Sequence, residues 1–126
     1  MKKKEGKGWR IIRDASRDNF STLIGGESWA IELNESEWKT LVKVIFDLSD
    51  QYQNIKDQLM DDEDITIELG NTPWLAILKG DKHGWDLKLI LNSSNSLSRG
   101  VEVYWPRSVT FHFVSAMRIM WDSDYL

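Results

Sequence analysis

Two histidines, a run of four acids, several cations and seven tryptophans are the residues of this 126-residue chain that could do chemistry. His83 stands in a turn-like stretch beside Asp81. His112 falls among apolar residues at helical spacing and reads as a core histidine, not a proton carrier. With no cysteine, the chain has no thiolate nucleophile, disulfide or zinc–thiolate site, and two isolated histidines form no dyad, triad or metal spacing. Asp61-Asp62-Glu63-Asp64 lacks the alternating acids and the glycine of a calcium loop, so its carboxylates diverge and the run reads as a solvated turn. Gly25-Gly26-Glu27-Ser28 reads as a turn between strands, without the following helix that a phosphate-cradling loop requires. The expectation is a protein that is not an enzyme, with no cofactor and no metal.

Binding chemistry is better supplied. Residues 1–17 carry seven cations against Glu5 and Asp14, a local charge of +5, which leaves −9 for the rest of a chain whose net charge is −4. Residues 1–7 read as a flexible basic arm on a single domain spanning 1–126. Arg10, Arg13, Arg17 and Lys88 could supply phosphate contacts for a single-stranded nucleic acid. Tyr104, out of phase with Val103 and Trp105, could supply a stacking surface. Against this, nucleic-acid-binding domains usually have a pI above about 9, and this chain's is 5.1. Trp29, Trp74, Trp85 and Trp105 lie in phase with the aliphatic residues of their own segments and are expected in the core.

The elements that position these residues are legible from periodicity. Two stretches echo one another: Ala30-Ile31-Glu32-Leu33 before Asn34-Glu35-Ser36-Glu37-Trp38, and Val101-Glu102-Val103-Tyr104 before Trp105-Pro106-Arg107-Ser108-Val109. Each alternating run feeds a helix. Asn34 with Glu37 three residues on has the form of a capping box. Trp38, Leu41, Ile45, Leu48, Tyr52, Ile55 and Leu59 then follow at spacings of three and four, predicting one helix to about residue 60. Pro106 suits the first turn of a second helix. Strands are predicted at 9–13, 20–24, 29–33, 65–69, 74–79, 85–91 and 101–105, with Asn92-Ser93-Ser94-Asn95-Ser96 a mobile polar loop. The fold class is therefore α+β, in the order β-β-β-α-β-β-β-β-α, with antiparallel sheets around two helices. Trp29, Ile31, Leu33, Trp38, Leu41, Ile45, Trp85, Leu87, Leu89, Val103 and Phe113 should form the core.

In the strands around Trp74 and Trp85 both alternating sets are rich in apolar residues, so both faces should be partly covered, the second by the other helix, a sister subunit or a ligand. Leu75, Ile77 and Ile90 on the second face, and Phe111 on the polar side of the last helix, are the candidate contacts for an unknown protein partner or a second copy.

The Gly-Trp-Arg start at Gly8, the Ser28-Trp29-Ala30-Ile31-Glu32-Leu33 run into a helix, and the Gly100-Val101-Glu102-Val103-Tyr104-Trp105-Pro106 junction resemble a small uncharacterised protein family of cyanobacteria and plant plastids. The resemblance spans Gly8 to about Trp121. It implies a fold similar to the single-stranded-DNA-binding transcriptional regulators, including the Whirly proteins, and through that fold a surface for single strands. No DNA-contacting Whirly motif occurs in this chain, so the resemblance assigns no residue a role.

The sequence thus predicts a protein-interaction or assembly module, with weak single-stranded DNA or RNA binding as the alternative. No segment approaches the roughly 20 apolar residues of a membrane span. The charged start is not followed by an apolar stretch, as a signal peptide's would be. A cytoplasmic location is the expectation.

Overall fold

The computed structural model describes residues 1–92 and 99–125. The chain forms β1 (Lys2–Gly6), β2 (Trp9–Arg13), β3 (Thr22–Gly26), β4 (Ala30–Leu33), α1 (Glu35–Ile55), a 3-10 turn (Lys56–Gln58), β5 (Ile65–Asn71), β6 (Trp74–Asp81), β7 (Gly84–Asn92), β8 (Gly100–Trp105) and α2 (Arg107–Tyr125). Two four-stranded sheets result, in orders β1-β2-β3-β4 and β5-β6-β7-β8, and every pairing is antiparallel. The α+β class, the antiparallel sheets and the strand–helix order are as expected.

One strand is additional, and it corrects the reading of the N-terminus. Residues 1–7 are not a loose arm: Lys2 to Gly6 pair in register with Arg13 to Trp9. Lys2 also binds Asp124 near the C-terminal end of α2. The lysines hid this strand because its apolar complement lies on β2, not on itself. A second correction concerns Gly25 and Gly26, which belong to β3; only Glu27 and Ser28 make the turn. A Cβ on Gly26 would sit 2.2 Å from Trp29 Nε1, so the hairpin closes there only around a bare Cα.

The cap of α1 forms as predicted. Asn34 Oδ1 accepts from Glu37 N at 2.8 Å, and Glu37 Oε1 accepts from Asn34 N at 2.9 Å. Trp38, Leu41, Val42, Val44, Ile45, Leu48 and Tyr52 are buried along the helix. Ile55 and Leu59 are only half-buried, and the helix ends at Ile55, earlier than its stripe suggests. At the other junction Pro106 stands just before α2, its carbonyl accepting from Val109 N at 2.9 Å. Residues 93–96 of the polar loop lie outside the described residues.

Both helices pack on one face of the second sheet, α1 against β5 and β6 and α2 against β7, and α2 also touches β1 and β2. Three tryptophans of that face anchor the layers. Trp74 Nε1 donates to Glu37 O at 2.9 Å, Trp105 Nε1 donates to Gly25 O at 3.1 Å, and Trp85 packs beside Tyr52. Ile11, Ile24 and Leu33 bring the first sheet into the same core. The expected core residues Leu33, Trp38, Leu41, Ile45, Trp85, Leu87, Leu89, Val103 and Phe113 are all buried. Trp29 and Ile31 are the exceptions: both are half-buried, because they border an open groove. His112 departs from expectation too. It is exposed, with its ring edge-on to Phe111 at 5.5 Å, outside the buried stripe that runs through Val109, Thr110, Phe113, Val114, Ala116, Met117 and Met120.

Candidate functional site

The cations singled out in the sequence do not converge. Arg10 lies on β2 opposite Gly25 and its side chain packs over that bare Cα; a Cβ on Gly25 would meet Arg10 Nε at 2.7 Å. That Nε is buried and has no partner among the described residues. Arg17 pairs with Glu32 at 3.1 Å, and Lys88 pairs with Glu102 at 3.1 Å on the other sheet. Tyr104 is 48% exposed, directly across from Lys88. Burial and the neighbouring Asp86 carboxylate raise its phenol above the ordinary value.

Arg13 is fully engaged. Its Nε donates to Asp124 Oδ2 at 2.8 Å and its Nη1 to Thr22 Oγ1 at 2.7 Å, while the guanidinium also binds the Glu35 carboxylate and lies over the Trp38 ring. It ties the first sheet to the start of α1 and the end of α2. Partial burial pushes the Glu35 carboxyl up, but hydrogen bonds from Arg13, Ser21 and Tyr125 and the Arg13 charge outweigh it and hold the group at about 2. A depressed folded pKa contributes stability that is present above the ordinary carboxylate range and lost as pH falls toward about 2. Urea midpoints measured from pH 5 down to 2 should therefore fall less steeply for Glu35→Gln than for the unaltered chain; parallel slopes would contradict this coupling.

The apolar candidates on the second sheet do meet. Leu75 pairs with Ile90 and Ile77 with Lys88, so Leu75, Ile77 and Ile90 form one half-buried patch on the face the helices do not use. Phe111, 70% exposed, stands apart on α2.

The feature the sequence did not disclose is a groove of about 570 Å3 between the sheets. Trp29, Ala30 and Ile31 of the first sheet form one wall, and Val101 to Tyr104 of β8 the other. Gly8, Pro106 and Val109 also line it. Trp29 meets Trp105 edge-on at 4.8 Å, and Trp105 stacks on Phe113 at 4.1 Å, which holds the two sheets at a fixed distance here. Nearby, Arg99 Nη1 donates to Glu32 O at 2.6 Å and the same guanidinium binds Glu37. Glu27 and Glu102 are the charged residues of the lining, so the groove is apolar with an acidic rim. In sequence Trp29 and Ile31 are in phase with the core and give no sign of the groove they border.

A family model described as a domain of unknown function, DUF1818, matches residues 4–120. The chain belongs to the DUF1818 family. A solved structure from Prochlorococcus sp. NATL2A, described as a protein with unknown function from the DUF155 family, is similar to this DUF1818 chain at 67% identity. Its TM-score is 0.92, and the match covers 96% of this chain and 99% of that one. No curated protein matches the chain. The cyanobacterial resemblance read from the sequence is thus supported; neither match names a single-stranded-DNA-binding protein, and the Whirly likeness stays an expectation.

Among the described residues of this DUF1818 chain, no group of three or more His, Asp or Glu side chains could hold a metal ion. No described helix is long and apolar enough to cross a membrane. Asp81 accepts from the His83 backbone N–H and from Arg107, and both contacts lower its carboxyl below the ordinary value. That arrangement closes the β6–β7 turn and secures the start of α2.

Proposed function

We propose that this chain is a non-enzymatic protein-interaction module and that the groove between β4 and β8 receives its partner. The observation that carries this reading is the groove itself, an open apolar channel with an acidic rim between two strands at the edges of their sheets. Apolar lining favours a desolvated partner surface, and the Glu27 carboxylate, with Glu102 shared with Lys88, favours a partner with basic residues. The same carboxylates oppose phosphates. The cations suited to nucleic acid are spread over two sheets and mostly paired with acids of this chain.

Two probes test the reading with the full chain. The first is acetyl-Lys-Val-Lys-Val-Lys-Val-Lys-amide, titrated into 15N-labelled protein; amide shifts should be confined to residues 29–31 and 101–104. The second is a labelled oligo-dT followed by fluorescence anisotropy, for which no submicromolar binding should occur at low salt. A tight oligo-dT complex whose affinity falls with a log–log salt slope of about −0.7 per phosphate contact would overturn the reading in favour of a single-strand binder. Peptide shifts scattered over the surface, or none, would remove the groove as the site.

A further inference from the structure

We infer that the groove takes its occupant as an added antiparallel strand on the free edge of β8, which deepens the reading above and rests on it. Asn92 N donates to Pro73 O at 2.9 Å, so the even positions of β7 face β6 and the odd ones face β8. Leu87, Leu89 and Leu91 then exchange bonds with Trp105, Val103 and Val101. The N–H and C=O groups of Gly100, Glu102 and Tyr104 are left pointing off the sheet, and none is hydrogen-bonded to a described residue. A row of alternating donors and acceptors matches another extended backbone better than any other ligand.

The two edges of the first sheet are less available. Gly26 N donates to Trp29 O at 2.9 Å, which turns Ala30 and Glu32 outward on β4, but Arg99 already occupies the Glu32 carbonyl. The edge strand β1 carries Lys2, Lys3 and Lys4, a charge pattern that discourages pairing. On β8 the space around Gly100 is open, and Glu102 and Tyr104 are exposed.

The side chains of the added strand follow from the same parity. Residues paired with Glu102 and Tyr104 would share their outer face, where an exposed aromatic ring, beside a carboxylate already paired with Lys88, suits Lys or Arg. The alternate residues would turn inward over Val101, Val103 and Ile31, where apolar side chains fit. The occupant is therefore an extended peptide segment alternating basic and apolar residues.

Backbone methylation reads the geometry directly. In an antiparallel strand the lysine amides of acetyl-Lys-Val-Lys-Val-Lys-Val-Lys-amide face β8 and the valine amides face away. N-methylation of the lysine amides should weaken binding by about tenfold or more, as expected when two or more hydrogen bonds are lost. N-methylation of the valine amides should change affinity less than about threefold. Equal affinities, or the reverse order, would overturn strand addition while leaving the groove as a docking site. Failure of the unmethylated peptide to bind would remove both readings.

Discussion

Trp105→Ala should destabilise the fold by about 3–5 kcal/mol, the range for removing a buried aromatic. Trp105 is fully buried at the meeting of both sheets and α2. It stacks on Phe113, meets Trp29 edge-on, and donates to Gly25 O across a sequence separation of 80. Truncation leaves a cavity and loses the bond to Gly25 O, and it removes the spacer between the walls of the groove. Urea unfolding followed by far-ultraviolet circular dichroism gives the loss in stability. Trp105→Phe keeps most of the volume but not the N–H, so it separates the hydrogen bond from the packing and should cost about 1–2 kcal/mol. A loss below about 1 kcal/mol for the alanine variant would show that the sheets are held together elsewhere.

Leu41→Ala or Ile45→Ala should cost about 2–5 kcal/mol each. Both residues are fully buried on the face of α1 that meets the second sheet. A helix interior tolerates alanine well, so propensity slightly offsets the lost burial, and the cavity term dominates. The spread depends on how far neighbouring Val42, Leu48 and Trp38 can collapse into the space. Chemical denaturation that moved the midpoint by the equivalent of less than half a kcal/mol would mean that the stripe on α1 is not core. Because the two positions are one turn apart and share neighbours, the double variant should lose less than the sum of the two singles.

Sequence alone determined the parts of this protein whose causes are local. The capping box at Asn34 and Glu37 needs only a four-residue spacing, and it forms with both of its hydrogen bonds. Alternation placed Trp85, Leu87 and Leu89 on the inward face of β7, and the spacing of Trp38, Leu41, Ile45 and Leu48 placed the buried side of α1. The α+β class followed from those elements, because a sheet with one apolar face and a helix with one apolar stripe must cover each other.

The tertiary structure decided which edges and charges stayed available, since these depend on residues far apart in sequence. Lys2 to Gly6 carry no strand pattern and become β1 only because β2 offers a free edge and Asp124 a partner for Lys2. Arg13 is indistinguishable in sequence from Arg10 and Arg17, yet contacts from positions 22, 35 and 124 make it a structural tie. His112 follows the apolar rhythm of α2 but falls outside the layer that rhythm buries. The groove had no sequence signature of its own. Periodicity records which face of a strand is apolar, whereas an open strand edge is defined by the neighbour that does not pair with it, and only packing across the whole chain fixes that.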